Sequence, residues 1–552
     1  MAKSITGRKF AANVVMSIAA QIVSLAVSFV LTLIVPRFID EYQYAYWQTY
    51  VLYVGYVGVL HFGLLDGLVL RYSKYDYEEL DKARLRSQFA TLLIFTGAVT
   101  VIAGAVSLLA LGGTDKLIFS LVAIGIVTKN LVTYSSYMLQ ITNRINKYVI
   151  LTIAQRLTYG VVVAVLLILK VNDFYWYCLA DLCGDAVGIV IGVSFNRGLY
   201  LGKMIKPSEA FKEIKVNVAS GIILMLANWS AMLMIGSAKM IIQWRWDELV
   251  FGKVSFAFSV SNVFLVFVTA ISVVLFPSLQ RIDQSKLPEM YKSIRSALSP
   301  FLFFIMLLYF PGCWILDKWI PKYSESLIYL GILLPIIIYS SKVSLLTNNY
   351  LKVYRKEKYM LIVNAISIAV GIALFALCAY AFDRLIALIA SVVFVIMLNS
   401  VLAEIFVSRI IRVNLVKHYI IEAVMTVAFI LCASLLPRWW GCLAYFGAYA
   451  VYAAVNYKAI AALFKRLFGG KRGGRAAQPA SEEGAKETAE ISSAPPQSIS
   501  ETDTPDAERV DTNAVNTATE NTGTVDTEKL AVAAQAGGDT VDADAVGDTE
   551  ET

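Results

Sequence analysis

The chain reads as an all-α polytopic membrane protein, and three observations carry that reading. Fourteen hydrophobic stretches, each long enough to cross a bilayer, lie between residues 10 and 465. No loop between them is long enough to hold a soluble domain. Of the 552 residues, 58% are hydrophobic and only 16% charged, with a mean hydropathy of +0.64. A span needs about 20 mostly apolar residues, because the hydrocarbon core is about 30 Å thick and a helix rises about 1.5 Å per residue. Barrel strands are excluded, since they need only about ten residues and alternate lumen with lipid.

The expected spans of the first half are 12–35, 44–69, 89–111, 117–141, 148–169 and 174–195. Those of the second half are 216–241, 251–276, 297–316, 326–346, 359–381 and 384–405, followed by 418–436 and 439–462. The N-terminus carries a short charged start and then a full-length span with no small-residue cleavage site, which predicts a first helix and not a removable signal. The loops predict orientation, because Lys and Arg stay on the cytoplasmic side. One set of helix ends, including Lys74, Arg84, Arg144, Lys203, Arg295, Arg355 and Arg412, carries 32 cations, and the opposite set carries 9. An even number of spans with both termini cytoplasmic accounts for this split.

Four further segments complete the expected organisation: an N-lobe over 1–200, a linker over 201–215, a C-lobe over 216–410 and a helix pair over 411–465. Residues 203–215 read as a short amphipathic interfacial helix, cationic on one side with Met204, Ile205, Phe211 and Ile214 on the other. Over 476–552 there are 18 Asp and Glu against 3 Lys and Arg, and no Phe, Trp or Tyr, so the tail over 471–552 is expected to be disordered. The six cysteines lack metal-type spacing and read as small packing residues. Nothing in the sequence suggests nucleic-acid binding, and basic loops attract anionic membrane lipids in general.

Several short motifs carry a resemblance. Gly63-Leu64-Leu65-Asp66-Gly67-Leu68 with Arg71, Asn143-Arg144 with Lys147-Tyr148, Ser220-Gly221, Leu226-Ala227-Asn228-Trp229, Phe251-Gly252-Lys253-Val254-Ser255-Phe256 and Val274-Leu275-Phe276-Pro277-Ser278-Leu279 are the residues concerned. At these positions the chain resembles the Wzx-type polysaccharide flippases of the MOP (multidrug/oligosaccharidyl-lipid/polysaccharide) exporter superfamily, over about residues 8–460. The resemblance implies a V-shaped pair of six-helix lobes plus two C-terminal helices. It also implies transfer of undecaprenyl-diphosphate-linked oligosaccharide between leaflets in a bacterial plasma membrane, alongside other polysaccharide-assembly proteins. No catalytic residue is among the motifs, and no outer loop is large enough for an enzyme's catalytic elements. A cation-coupled antiporter, as in the related MATE branch, is the alternative.

Ionisable groups at membrane depth cost at least about 2.5–3.5 kcal/mol, so they should face protein or a water-filled cavity. A diphosphate crossing a low-dielectric region needs fixed cations, and Arg binds phosphate oxygens in a bidentate manner where Lys acts as a point charge. Arg156 and Lys129 are the candidates for that site, with Lys239 and Lys342 as weaker partners on the other lobe. The opposing reading is that Arg156 and Lys129 merely neutralise Asp181 and Asp185, four residues apart on one helix face. Asp185, then Asp181, Asp66 and His61, are candidates for coupling to H+ or Na+; for His61 a packed, hydrogen-bonded role competes, and for Asp66 a local pairing with Arg71. Asn364 and Asn399 are expected to join helices more than to bind sugar. Glu404 and Glu422 are expected to face the membrane interface.

Overall fold

A computed structural model describes residues 7–280 and 283–457. Every regular element among them is helical, as backbone satisfaction within a bilayer demands. Fourteen helices follow the fourteen apolar stretches one for one. They are α1 (7–38), α2 (Glu41–His61 and Leu64–Tyr72), α3 (Lys82–Ala110), α4 (Gly113–Ile141), α5 (Ile145–Ile168), α6 (Phe174–Phe195) and α7 (Pro207–Arg245). The second half continues with α8 (Glu248–Gln280), α9 (Leu287–Trp319), α10 (Ser326–Val353), α11 (357–381), α12 (Leu385–Ile411), α13 (Val416–Leu435) and α14 (Arg438–Val455). Twelve are long and apolar enough to cross a membrane, or 13 with the bent α2. In α14 two Trp and three Tyr residues spread along the helix, with Arg438 at its start, dilute the hydropathy. The tail expected to be disordered lies outside the described residues, as does the end of the stretch 439–462.

Local chemistry sets the helix ends. The Asp40 carboxylate accepts the Tyr42 N–H at 2.9 Å at the start of α2, Asp81 accepts the Arg84 N–H at 3.1 Å at α3, and Asp247 accepts the Val250 N–H at 2.8 Å at α8, each satisfying a donor that the first turn leaves free. The expected interfacial helix over 203–215 is not separate. Residues up to Lys206 are non-helical, Pro207 occupies the first helical position, and Pro207–Arg245 then runs for 39 residues without interruption. Proline suits that position because the missing N–H has no intrahelical partner there, and no Pro or Gly pair follows that would end the helix before the membrane.

Interruptions fall elsewhere. In α2 the chain turns at Phe62 (φ 47°) and Gly63 (φ 79°), and the two parts are bent by 54°. Single π-helical turns interrupt α1 at Val30–Ile34, α10 at Val343–Thr347 and α11 at Leu377–Ala381. α9 carries Pro300 and breaks at Leu308.

Helices α1–α6 pack among themselves, as do α8–α12, while α7 packs on both α2 and α11. α13 and α14 lie against α9 and α10, where Phe429 meets Phe310, Tyr309 and Tyr445 at 5.1–6.0 Å between ring centroids. α10 is the most enclosed span, 78% of its apolar window being buried, which explains a sequence that is apolar on all faces. Tyr56 and Tyr53 of α2 reach the Met232 carbonyl and Gln243 of α7, and two further meeting points of the halves lie toward the ends of the bundle. Near the basic end, a Cβ on Gly67 would stand 2.0 Å from the Asn217 carbonyl oxygen and one on Gly221 2.1 Å from the Gly63 carbonyl oxygen, so α2 and α7 cross in backbone contact. Near the other end, the rings of Tyr44, Phe256 and Tyr323 pack at 4.8–6.4 Å.

Candidate functional site

Between these two meeting points lies a cavity of about 540 Å3, lined by α1, α2, α4, α5, α6, α7 and α8. Its wall alternates aromatic and polar chemistry: Trp47, Trp229, Tyr137 and Tyr159 beside Gln48, Gln155 and Asn262, with Arg156, Lys129 and Asp181 as the charged groups. The π-helical turn of α1 contributes Leu31 and Thr32 to the same wall.

Lys129 is held at one side. Its Nζ stands 2.8 Å from Asp181 Oδ2 and 2.9 Å from Asp185 Oδ2. The Asp185 carboxylate also accepts from Gln155 Nε2 at 2.8 Å and Thr128 Oγ1 at 3.2 Å, and Asp181 accepts from the Tyr50 hydroxyl at 3.1 Å. The spacing of the two aspartates puts both carboxylates on the α6 face toward α4, as expected from a four-residue separation. Asp185 is fully buried, whereas Asp181 and Lys129 keep partial access to the cavity. Arg156 differs: it is exposed on the cavity wall, and among the described residues no carboxylate lies within ion-pair distance of it. The two expected cations therefore separate, Lys129 into the neutralising pair and Arg156 onto the open wall. Two ionised carboxylates against one ammonium leave the α4–α6 cluster one negative charge in excess, and Arg156 lines the same cavity with the opposite sign.

The second-half candidates lie elsewhere. Lys342 is fully enclosed, 3.0 Å from Glu404 and 2.6 Å from Glu422. Arg295 completes a buried quartet, 2.8 Å from Glu404 and 3.0 Å from Glu422. Neither glutamate faces the interface, and Arg295, counted among the loop cations, lies inside the helix bundle. The correction has one cause: four charges on α9, α10, α12 and α13 balance to zero and satisfy each other's hydrogen bonds, so burial costs less there than leaving any one alone. Lys342 is sealed away from the cavity that a substrate phosphate would enter in this arrangement.

Lys239 is half-buried on α7, its ammonium 5.7 Å from the Phe251 ring and 6.0 Å from that of Phe258, a cation–π setting away from the cavity wall. His61 lines the cavity. It is buried, accepts the Gly63 N–H at Nδ1 (3.1 Å), and sets Nε2 3.9 Å from Asp66. Asp66 thus stands beside His61 and apart from Arg71, whose guanidinium turns across to α7. Asn399 donates to Asn364 at 2.9 Å, and Asn364 to the Ala227 carbonyl at 3.2 Å, the helix-joining use expected of them. Among the described residues no group of three metal-ligating side chains is assembled, and the six cysteines are free.

Sequence reasoning missed Gln155, Tyr50, Trp47 and Asn262, which carry no periodic or charge signal. It also missed one that was readable: Lys129 lies sixteen residues into Gly113–Ile141 and Lys342 sixteen residues into Ser326–Val353, the fourth helix of each half. Each lysine pairs with a carboxylate on the sixth helix of its half, the first toward the cavity and the second sealed by Arg295 and Glu422.

No protein-family model matches the chain, and no curated protein matches it in sequence. Solved structures do match in fold. Lipid II flippase MurJ in an inward closed conformation aligns with a TM-score of 0.59 at 12% identity, over 81% of this chain and 99% of that one. An inward-facing multidrug resistance MATE family transporter of the MOP superfamily aligns with a TM-score of 0.54 at 13% identity, over 74% and 95%. The chain has the fold these two transporters share.

Proposed function

We propose that this chain is a flippase that moves a lipid-linked anionic glycan, of the undecaprenyl-diphosphate oligosaccharide class, from the inner to the outer leaflet of a bacterial plasma membrane for cell-surface polysaccharide assembly. The observation that carries the reading is Arg156, a guanidinium without a carboxylate partner on the wall of an aromatic and amide-lined cavity at membrane depth. A guanidinium offers paired donors to phosphate oxygens. Trp and Tyr faces beside Gln and Asn suit the alternating apolar and hydroxyl surfaces of a sugar. The lipid tail stays in the bilayer while the headgroup occupies the cavity, and closure alternates between the two meeting points of the halves. The basic loops and both termini lie on the cytoplasmic side in this reading, by the charge asymmetry of the loops. Coupling to H+ or Na+ would act through Asp181 and Asp185, which compete with the substrate for Lys129.

The test is transfer of a fluorescent undecaprenyl-diphosphate oligosaccharide across liposomes holding the purified chain, with and without a pH or sodium gradient. Transfer that falls with Arg156→Ala establishes the site; full transfer by that variant removes it. The second reading, a cation-coupled antiporter of small molecules, rests on the carboxylate excess beside Lys129. It predicts gradient-driven efflux of cationic dyes and no lipid transfer.

A further inference from the structure

Beside the α2–α7 crossing at the basic end lies a second cavity of about 600 Å3, lined by Arg71, Lys74, Arg84, Tyr72, Tyr75 and neighbouring residues. One carboxylate, Glu213 of α7, serves two guanidiniums of its wall. Arg71 Nη1 donates to Glu213 Oε2 at 3.0 Å and to Asn217 Oδ1 at 2.6 Å, and Arg84 Nη1 donates to Glu213 Oε1 at 3.0 Å. Asn217 is the residue whose carbonyl Gly67 touches, and its Nδ2 donates to Gln88 of α3. The same few residues therefore hold the crossing shut and line the cavity.

The charges around this cavity balance only while it is closed. Lys74 has no carboxylate partner among the described residues; its ammonium lies 5.1 Å from the Tyr75 ring. Of the other carboxylates facing the site, Asp81 pairs with Arg84 at 2.9 Å and caps α3, and Glu79 accepts the Asp76 N–H at 3.1 Å. Both belong to the α2–α3 side and remain there if the crossing opens. Glu213 belongs to α7 and would leave with it. Opening then strands two guanidiniums and a lysine against two carboxylates, a cost that an incoming anion removes.

We propose that this cavity is a docking site for a phosphate or diphosphate group, in which Glu213 is the built-in occupant and the arriving anion releases the α2–α7 crossing by taking its place on Arg71 and Arg84. A ligand shifts such an equilibrium only by its differential affinity for the two states, and here the whole of the site is available in the open state alone. The proposal rests on the transport reading for its biological substrate, but its geometry and its test do not involve transfer.

The test places spin labels at Ser73→Cys and Lys212→Cys, both exposed, in the full chain with its six native cysteines replaced, and reads their separation in nanodiscs of neutral lipid. Glu213→Gln is expected to lengthen the distance without any ligand, while Glu209→Gln, an exposed carboxylate one turn earlier, leaves it unchanged. Farnesyl diphosphate is expected to lengthen it in the parent chain. Lys74→Gln, which leaves both Glu213 contacts in place and removes only a cation of the cavity wall, should raise the concentration needed by about tenfold, the worth of one charged hydrogen bond.

If inorganic pyrophosphate acts at the same concentration as farnesyl diphosphate, the site takes free phosphate; if only the prenyl form acts, it takes a lipid headgroup. No lengthening with either probe, or an unaltered response in Lys74→Gln, overturns the proposal. Hydrogen exchange over residues 63–72 and 213–222 in the unsubstituted chain reads the same opening without any labels. A chain that opens with diphosphate yet transfers no lipid-linked glycan keeps this site and removes the transport reading, and the converse result removes the site alone.

Discussion

Arg156 and Lys129 look equivalent in sequence, and their neighbours make them different. Arg156 has only the cavity before it, so Arg156→Ala should leave the thermal unfolding of the purified chain within a degree or two of the parent while lipid transfer falls at least tenfold, the loss of one charged phosphate contact. Lys129→Ala strands Asp181 and Asp185 and should lower both stability and transfer. The sealed quartet predicts a third outcome. Lys342→Ala leaves Glu404 and Glu422 against Arg295 alone in the interior, a loss of about 3–5 kcal/mol, visible as poor yield and early thermal unfolding. If Lys342→Ala is as stable as the parent but inactive, the lysine reaches substrate after all.

Helix α2 is where sequence and geometry join most closely. The Gly63 and Gly67 motif, one of those that carry the sequence resemblance, is in the fold one wall of a backbone crossing with Gly221 of α7. A methyl group at Gly67 or Gly221 has no space, and the opposing atoms are backbone, which cannot rotate aside. Gly67→Ala and Gly221→Ala should therefore fold, since each half keeps its own core, but rest with the basic end open; faster modification of a cavity cysteine placed at Thr133→Cys checks this. The α13–α14 pair looked like an appendage from its position after the twelfth span. Glu422 makes it a member of the second half's charge balance, and its removal should cost the fold more than its area of contact suggests.

The chain as a whole is held at both ends of its cavity, by glycine backbone near the basic loops and by Tyr44, Phe256 and Tyr323 at the other. The proposed transport cycle requires release of one of these contacts at a time. Gly252 sets an ideal Cβ 2.8 Å from Ala45 Cβ, below the roughly 3.5–4.5 Å that a disulfide spans, so α2 and α8 must part by a fraction of an ångström to admit one. The pair Ala45→Cys and Gly252→Cys should thus cross-link α2 to α8 under oxidation and stop lipid transfer, with reductant restoring it; transfer that survives complete cross-linking rules out opening at that end.

The number, order and approximate limits of the helices were legible in the residues, because each span must satisfy its own backbone and present an apolar surface about 30 Å long whatever lies beside it. The charge asymmetry of the loops is likewise a property of the chain and needs no neighbours. What the lysines, arginines and carboxylates do was decided only by packing. Lys129 and Lys342 share a register, yet one opens onto the cavity and the other does not, since an arginine from α9 and a glutamate from α13 close over the second. Pairing of this kind depends on side chains 52 or more residues apart in the chain, and no local pattern records which of them the fold will bring together.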